Sequence, residues 1–420
     1  MHPTRSRLAL TRRHLLAAAA TLALPLLAPA ASPAADAPAA SGKKVKVLYL
    51  DQSMGFRHQP VTRKTPDELA SSEVAFIEYG KASGAFDVEP TQDATVLTPD
   101  KLKSIDVLAF YTTSVAGKPL PISDETWKAV LDWVSSGKGG FIGIHSATDT
   151  RQPLKGEGMD YTKFINGEFD GHPWTQGTPM RIVTHEPTHP TVSMWGPSFD
   201  YKEEIYQYQK FDPAAVRVLQ SLDFEGTPLK KPYPVPVTWV REVGQGRLFY
   251  TNLGHTPSTW QDPRFKDQVT AAVKWVTHQT DGPAAPNPEA QAVWAIHSLV
   301  AYGPEGKGPA AGAPTASAVA AKLATADKAW LAETAAKVEK LRRAAPGDVN
   351  KPKAPNKADE KKDPKKYAEA VAAYEKDTAD YPAKKAKYDA AKAKADADRA
   401  ALVAEVLQKA GMGPAAAAAR

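Results

Sequence analysis

Three histidines, His58, His145 and His255, each follow a predicted strand at its C-terminal end: Val45 to Leu50, Gly140 to Ile144 and Arg247 to Asn252. An imidazole titrates near working pH, so a group of them could serve as a general base or as metal ligands. Carboxylates accompany them. Glu204 and Asp149 are candidates for a second acid/base or an orienting carboxylate, with Glu168, Asp170, Asp200 and Glu203 in the same half of the chain. With His145, His255, Glu204 and Asp149 as candidate catalytic residues, His58, Thr113, Ser146, His172, Trp174 and Tyr206 are candidates for holding a substrate. A polar cleft lined by imidazoles, carboxylates and aromatic rings suits a sugar, whose C–H faces pack on rings and whose hydroxyls need many hydrogen bonds. His58, His145 and His255 could also hold a divalent metal such as zinc. His185 and His189 have the i, i+4 spacing of a helical metal pair, but Pro187 and Pro190 break that helix, and both read as hydrogen-bonded structural residues.

The elements that must position these side chains read as strands alternating with helices. Val45 to Leu50 is a first strand, Asp67 to Lys81 a helix with Leu69, Val74 and Ile77 inward, and Phe86 to Glu89 a strand stopped by Pro90. Ile105 to Tyr111 is a buried strand. Ser123 caps a helix that carries Trp127, Val130, Leu131 and Val134 at helical spacing and ends at Gly137. The strand into His145 follows. The second half predicts one or two helical turns at Tyr161 to Ile165 and strands at Met180 to Val183 and Val216 to Leu222. A hairpin of Pro236 to Arg241 and Arg247 to Asn252 follows, then a closing helix from Phe265 to Val276. Such alternation argues for a parallel α/β sheet covered on both faces. Ligands bind at the carboxyl edge of such sheets, where three strand-end histidines would converge.

The chain has 420 residues and no cysteine. Disulfides, thiolate metal sites and a cysteine nucleophile are therefore excluded. The net charge is +6, but residues 43–280 carry 26 basic and 28 acidic groups, a net −2, and the remainder beyond them 23 and 18, a net +5. A basic patch on the folded part, the usual mark of a nucleic-acid binder, is not indicated. Arg5, Arg7, Arg12 and Arg13 precede an apolar run from Leu15 to Leu27 and small residues. Residues 1–40 read as an export signal of twin-arginine type, placing the mature protein in the periplasm or cell envelope with no integral membrane span. Residues 280–345 read as a Pro/Gly/Ala linker and a helix, with Trp294, His297 and Tyr302 as a short strap. Residues 346–420 read as a low-complexity, Ala/Lys-rich tail, partly helical or disordered, whose plainest role is a spacer.

Several motifs occur in order: Gly55-Phe56-Arg57-His58, Gly143-Ile144-His145-Ser146-Ala147-Thr148-Asp149, Asn166-Gly167-Glu168-Phe169-Asp170-Gly171-His172-Pro173, Glu203-Glu204-Ile205-Tyr206, and Gly246 through His255. Together they resemble the ThuA-like (trehalose utilisation) domain over about residues 44–279. The resemblance implies a class I glutamine amidotransferase-like fold, a flavodoxin-like three-layer sandwich, here followed by an extended helical tail. In true amidotransferases a cysteine nucleophile occupies the elbow after the central strand. Here His145 stands there, so glutamine hydrolysis by thiolate attack is not available. The resemblance points instead to carbohydrate utilisation: a hydrolase, lyase or isomerase acting on a disaccharide, glycoside or 3-keto-sugar by His/carboxylate acid-base chemistry. A non-catalytic carbohydrate-binding module on a stalk is the other reading, and homo-oligomerisation is left open.

Overall fold

The computed structural model describes residues 44–115, 117–150, 160–228, 233–344 and 349–413. The expected export signal lies outside these residues. In chain order the elements are β1 (Val45–Leu50), α1 (Ser71–Ser83), β2 (Phe86–Thr91), α2 (Pro99–Leu102), β3 (Val107–Phe110), α3 (Asp124–Ser135), β4 (Gly140–Ile144), α4 (Tyr161–Ile165), β5 (Glu168–Phe169), β6 (Trp174–Thr184), β7 (Ser198–Ile205), β8 (Tyr208–Gln209), β9 (Arg217–Asp223), β10 (Pro236–Val243), β11 (Gly246–Thr251), α5 (Pro257–Gln261), α6 (Pro263–Val276), α7 (Pro288–Tyr302), α8 (Ala316–Leu323), α9 (Lys328–Ala344) and α10 (Pro364–Lys409).

Nine strands form one mixed sheet in the order β2-β1-β3-β4-β11-β10-β9-β6-β7, and β5 pairs with β8 apart from it. The pairs β1–β2, β1–β3, β3–β4 and β4–β11 are parallel, and from β11 onward every pair is antiparallel. Alternation along the parallel strands feeds two cores, one on each face. Val47, Tyr49, Ala109, Ile142 and Phe249 face one side with Phe76 of α1, Val273 of α6 and Ile296 of α7. Leu48, Leu50, Leu108, Phe141 and Leu248 face the other with Leu102 of α2, Trp127 of α3 and Phe164 of α4.

Local chemistry explains the boundaries. Ser123 caps α3, its hydroxyl accepting from the Thr126 N–H. Pro90 does not stop β2, because β2 is an edge strand and needs no donor on its open side. α1 starts later than expected and turns a different face inward. Leu69 and Val74 are exposed, whereas Phe76 and Tyr79 are buried and Glu73 is held by the Arg63 guanidinium. The two rings fill more core volume than the aliphatic side chains could.

Beyond α6, α7 buries Ala295, Ile296, Leu299 and Val300 in the same core as the sheet. Residues 280–345, expected to hold one helix, hold three among the described residues, α7, α8 and α9. α10 is a single helix of 46 residues, buried only near its end at Arg399, Leu402, Val403 and Val406. No helix among the described residues is long and apolar enough to cross a membrane.

Candidate functional site

Each ligand-bearing side chain enters from a different segment at the carboxyl edge of the parallel strands. β4 ends at Ile144, and the chain turns at once into a 3-10 turn, His145–Asp149. His145 takes φ of 43°, a left-handed conformation costly for a residue with a Cβ. That turn drives its ring inward, where it is fully buried. Gly143 leaves room for the turn, since a Cβ there would lie 2.9 Å from both Ile165 Cδ1 and Tyr250 Cδ2. His255 follows the neighbouring β11, past Gly254 at φ of 119°. His58 comes from the loop after β1. Thr113 positions that loop, its hydroxyl donating to the Phe56 carbonyl at 2.8 Å and accepting from the Gly55 N–H at 3.3 Å.

The three rings meet. Centroids are 4.9 Å apart for His58–His145, 5.2 Å for His58–His255 and 5.1 Å for His145–His255. Glu204, at the end of β7, completes the group: one donor atom from each of His58, His145, His255 and Glu204 lies within 4.8 Å of the others. Glu204 Oε1 is 3.5 Å from His255 Nε2 and 3.8 Å from His145 Nε2, and its Oε2 is 3.3 Å from Nδ1 of His172 at the exposed rim.

Surrounding groups fix the rings. His145 Nδ1 lies 2.8 Å from the Asn252 carbonyl. A carbonyl only accepts, so Nδ1 carries the proton and Nε2 presents its lone pair to the centre. His58 Nε2 is hydrogen-bonded to the Tyr206 hydroxyl at 3.0 Å. His58 Nδ1, His145 Nε2 and His255 Nδ1 are buried with no hydrogen-bond partner among the described residues. Asn252 ties β11 to the end of β7, accepting from the Tyr206 N–H at 3.2 Å and donating to its carbonyl at 3.0 Å. Glu203, one residue before Glu204 and so on the opposite side of the strand, accepts from the N–H of Gly254, Thr256 and Glu204 and from the Thr259 hydroxyl. It thereby holds the turn that carries His255.

Burial dominates the protonation states. It lowers His58 to about 3 and His255 to about 4, with repulsion from neighbouring imidazolium forms adding to it, and it depresses His145 well below the usual range. Burial also lifts Glu204 to about 7. Near neutral pH the centre is thus three neutral imidazoles beside a carboxyl whose proton an approaching cation readily displaces into solvent. Three imidazole nitrogens and one carboxylate oxygen, several of them orphaned, form a donor set suited to zinc.

The remaining expected residues divide. Tyr206 belongs to the centre, its ring centroid 4.3 Å from that of His145. Ser146 is buried beside His145, with its hydroxyl unpartnered among the described residues. Asp149 is half-buried at the far end of the 3-10 turn and outside the donor group, although its charge helps raise the Tyr206 phenol. Trp174 does not present a surface to a substrate. It is fully buried, its indole N–H donates to the Pro228 carbonyl at 2.9 Å, and it stacks on Phe224, so it is a core residue. His185 and His189 are bonded to the Ser221 and Thr191 hydroxyls and lie outside the centre. Asn252, the positioning role of Glu203, and Phe56, which is 67% exposed and stands edge-on to His58 with centroids 4.9 Å apart, are not among the residues expected from sequence. Phe56 and Asn252 lie within the motifs that flank His58 and His255, and that adjacency was the available signal.

Comparison with known proteins adds to this geometry. No curated protein matches the chain. Among solved structures, a ThuA-like protein from Bacteroides uniformis is 21% identical, with a TM-score of 0.42 over 57% of this chain and 94% of that one. A second, from Parabacteroides merdae, is 15% identical, with a TM-score of 0.43 over the same shares of the two chains. The family model described as ThuA, trehalose utilisation, matches residues 46–276, which is more than half of the sequence and contains every residue of the histidine centre. That stretch, from the first strand of the sheet to the end of α6, places the chain in the ThuA family.

Proposed function

We propose that this chain is an exported, envelope-located protein of carbohydrate utilisation that processes a glycoside, disaccharide or 3-keto-sugar at the His58–His145–His255–Glu204 centre. The observation that supports this reading is the set of three buried imidazoles and one carboxylate with donor atoms within 4.8 Å of one another. A divalent metal such as zinc, held by His58, His145, His255 and Glu204, would polarise a carbonyl or hydroxyl oxygen of the sugar. Around it the protein's own groups have defined tasks. His172 at the rim, in reach of Glu204, can take or give a proton at a substrate hydroxyl or at a C–H acidified by a neighbouring keto group. Phe56 offers a ring to the apolar face of a pyranose. Asn252 and Tyr206 keep His145 and His58 in fixed orientations, so the donors need little reorganisation. The broader kinship with glutamine amidotransferase-like, flavodoxin-type folds is part of this reading, with a histidine at the elbow in place of a thiolate.

The test is metal analysis of protein purified without chelator or histidine tag, combined with incubation with 3-keto-trehalose and 3-keto-glucosides. About one zinc per chain and turnover are expected. His145→Ala should lose the metal and at least about 100-fold in rate. Absence of both metal and turnover in the unmodified protein would overturn the catalytic reading. Disaccharide binding that survives His145→Ala would then favour a binding module.

A further inference from the structure

α10 carries a pattern that the sheet does not use. Tyr367, Tyr374, Tyr381 and Tyr388 recur at every seventh residue, and Val371, Thr378, Lys385 and Lys392 form a second row four positions on. This alternation of four and three is the spacing of a coiled-coil seam, with tyrosines in one row and valine, threonine and two lysines in the other. On a lone straight helix it would drift by ~20° per heptad, and it stays on one face only when the helix supercoils with another.

The same two rows continue through Ala395, Arg399, Leu402 and Val406. There the seam is filled from within the chain. The last three are buried, and the Arg399 guanidinium donates to the carbonyls of Gly303 and Pro304 at 3.2 and 2.9 Å while lying 5.2 Å over the Tyr302 ring. Lys337 of α9 pairs with Glu405 at 2.9 Å. Upstream of Ala395 the seam runs on, and none of its four tyrosines belongs to either core of the molecule.

We propose that residues 367–392 of α10 pair with the same residues of a second copy of this chain as an antiparallel two-helix coiled coil. The charges select both the partner and the direction. A parallel, in-register pair would set Lys385 against Lys385 and Lys392 against Lys392 in the seam, placing like charges together. In the antiparallel pair each row faces the other: Tyr367 meets Lys392, Val371 meets Tyr388, Tyr374 meets Lys385, and Thr378 meets Tyr381 of the second copy. Every tyrosine then faces a methyl-bearing side chain or an ammonium, which is attracted to the ring face. Lys385 already lies along this seam, 5.8 Å from the centroid of Tyr388 in its own helix. On one flank Asp377 meets Lys384 and Ala370 meets Ala391. On the other Ala368 meets Asp389 and Glu375 meets Pro382, so no like charges are opposed. The overlap is ~39 Å at 1.5 Å per residue, more than three heptads, and Pro382 inside the helix lies on the flank rather than in either seam row.

The absence of cysteine makes the test clean. Full-length Tyr374→Cys protein and full-length Lys385→Cys protein are exposed to oxidant each alone and, in a third sample, after mixing the reduced proteins. A disulfide-linked dimer is expected only in the mixture. Cross-linking of each variant with itself overturns the antiparallel arrangement. In sedimentation equilibrium the unmodified chain should be dimeric at micromolar concentration. The double variant Tyr374→Asp/Tyr381→Asp should dissociate at least 100-fold more readily with an unchanged thermal transition of the sheet domain, and Tyr374→Leu/Tyr381→Leu should stay dimeric. A monomeric unmodified chain, or a dimer indifferent to the aspartates, overturns the proposal.

Discussion

At the scale of single residues, the centre works by leaving lone pairs without partners in a buried place. Removing the Tyr206 hydroxyl leaves His58 Nε2 without its hydrogen bond. Tyr206→Phe should therefore weaken zinc binding by about 10-fold while the thermal midpoint moves little, which competitive titration against a zinc chelator would measure. The three histidines and Glu204 were legible in the sequence because each stands at the end of an apolar strand or in a motif. The choice among carboxylates was not. Glu203 and Glu204 are neighbours with opposite tasks, and only strand alternation separates the group that faces the imidazoles from the one that holds the Gly254–Thr256 turn. Asp149 sits four residues from His145 in the chain, yet the 3-10 turn leaves it outside the donor group. Trp174 suggests a cleft in sequence and fills the core in the fold, because an aromatic residue near candidate ligands has the same appearance in either place.

At the scale of elements, the fold depends on close approaches that only glycine permits. A Cβ on Gly140 would lie 2.6 Å from the Val276 carbonyl oxygen and 2.5 Å from Val276 Cβ, where α6 crosses the start of β4. Gly140→Ala should destabilise the domain by about 1–3 kcal/mol, read as a lower urea midpoint at unchanged slope. The parallel strands, the β10–β11 hairpin, α3 and α6 were readable from apolar runs, caps and spacing. β7 was not, since Ser198-Phe199-Asp200-Tyr201-Lys202-Glu203-Glu204-Ile205 mixes charged and aromatic residues and its pairing with β6 is a long-range fact. The inward face of α1 is not legible in sequence, because a pattern of aliphatic positions competes with two rings and an ion pair. α7 lies in a stretch whose flanks are rich in proline and glycine, so composition concealed a helix that packs into the core of the sheet.

At the scale of the whole molecule, stability is linked to pH through histidines outside the centre. Burial lowers His185 and His189 to about 4, below the ordinary value of 6.5. The unfolded chain then binds protons that the folded chain refuses, so stability is present above pH about 6.5 and is lost as pH falls through about 4. Each unit of depression corresponds to about 1.4 kcal/mol. The thermal midpoint should drop between pH 7 and pH 5, and His185→Gln should flatten that drop in calorimetry. The sheet order carries a further consequence. β11 is the last strand to be synthesised, yet it lies at the middle of the sheet, joining β4 on its parallel side to β10 on its antiparallel side. A ribosome must therefore complete both halves before the strand that joins them emerges. Until then two apolar strand edges, those of β4 and β10, stand open to any neighbouring chain. His255 lies four residues beyond that joining strand. A nascent chain stalled short of it is both incapable of forming the centre and prone to aggregate, so translation order makes a complete site the mark of a closed sheet.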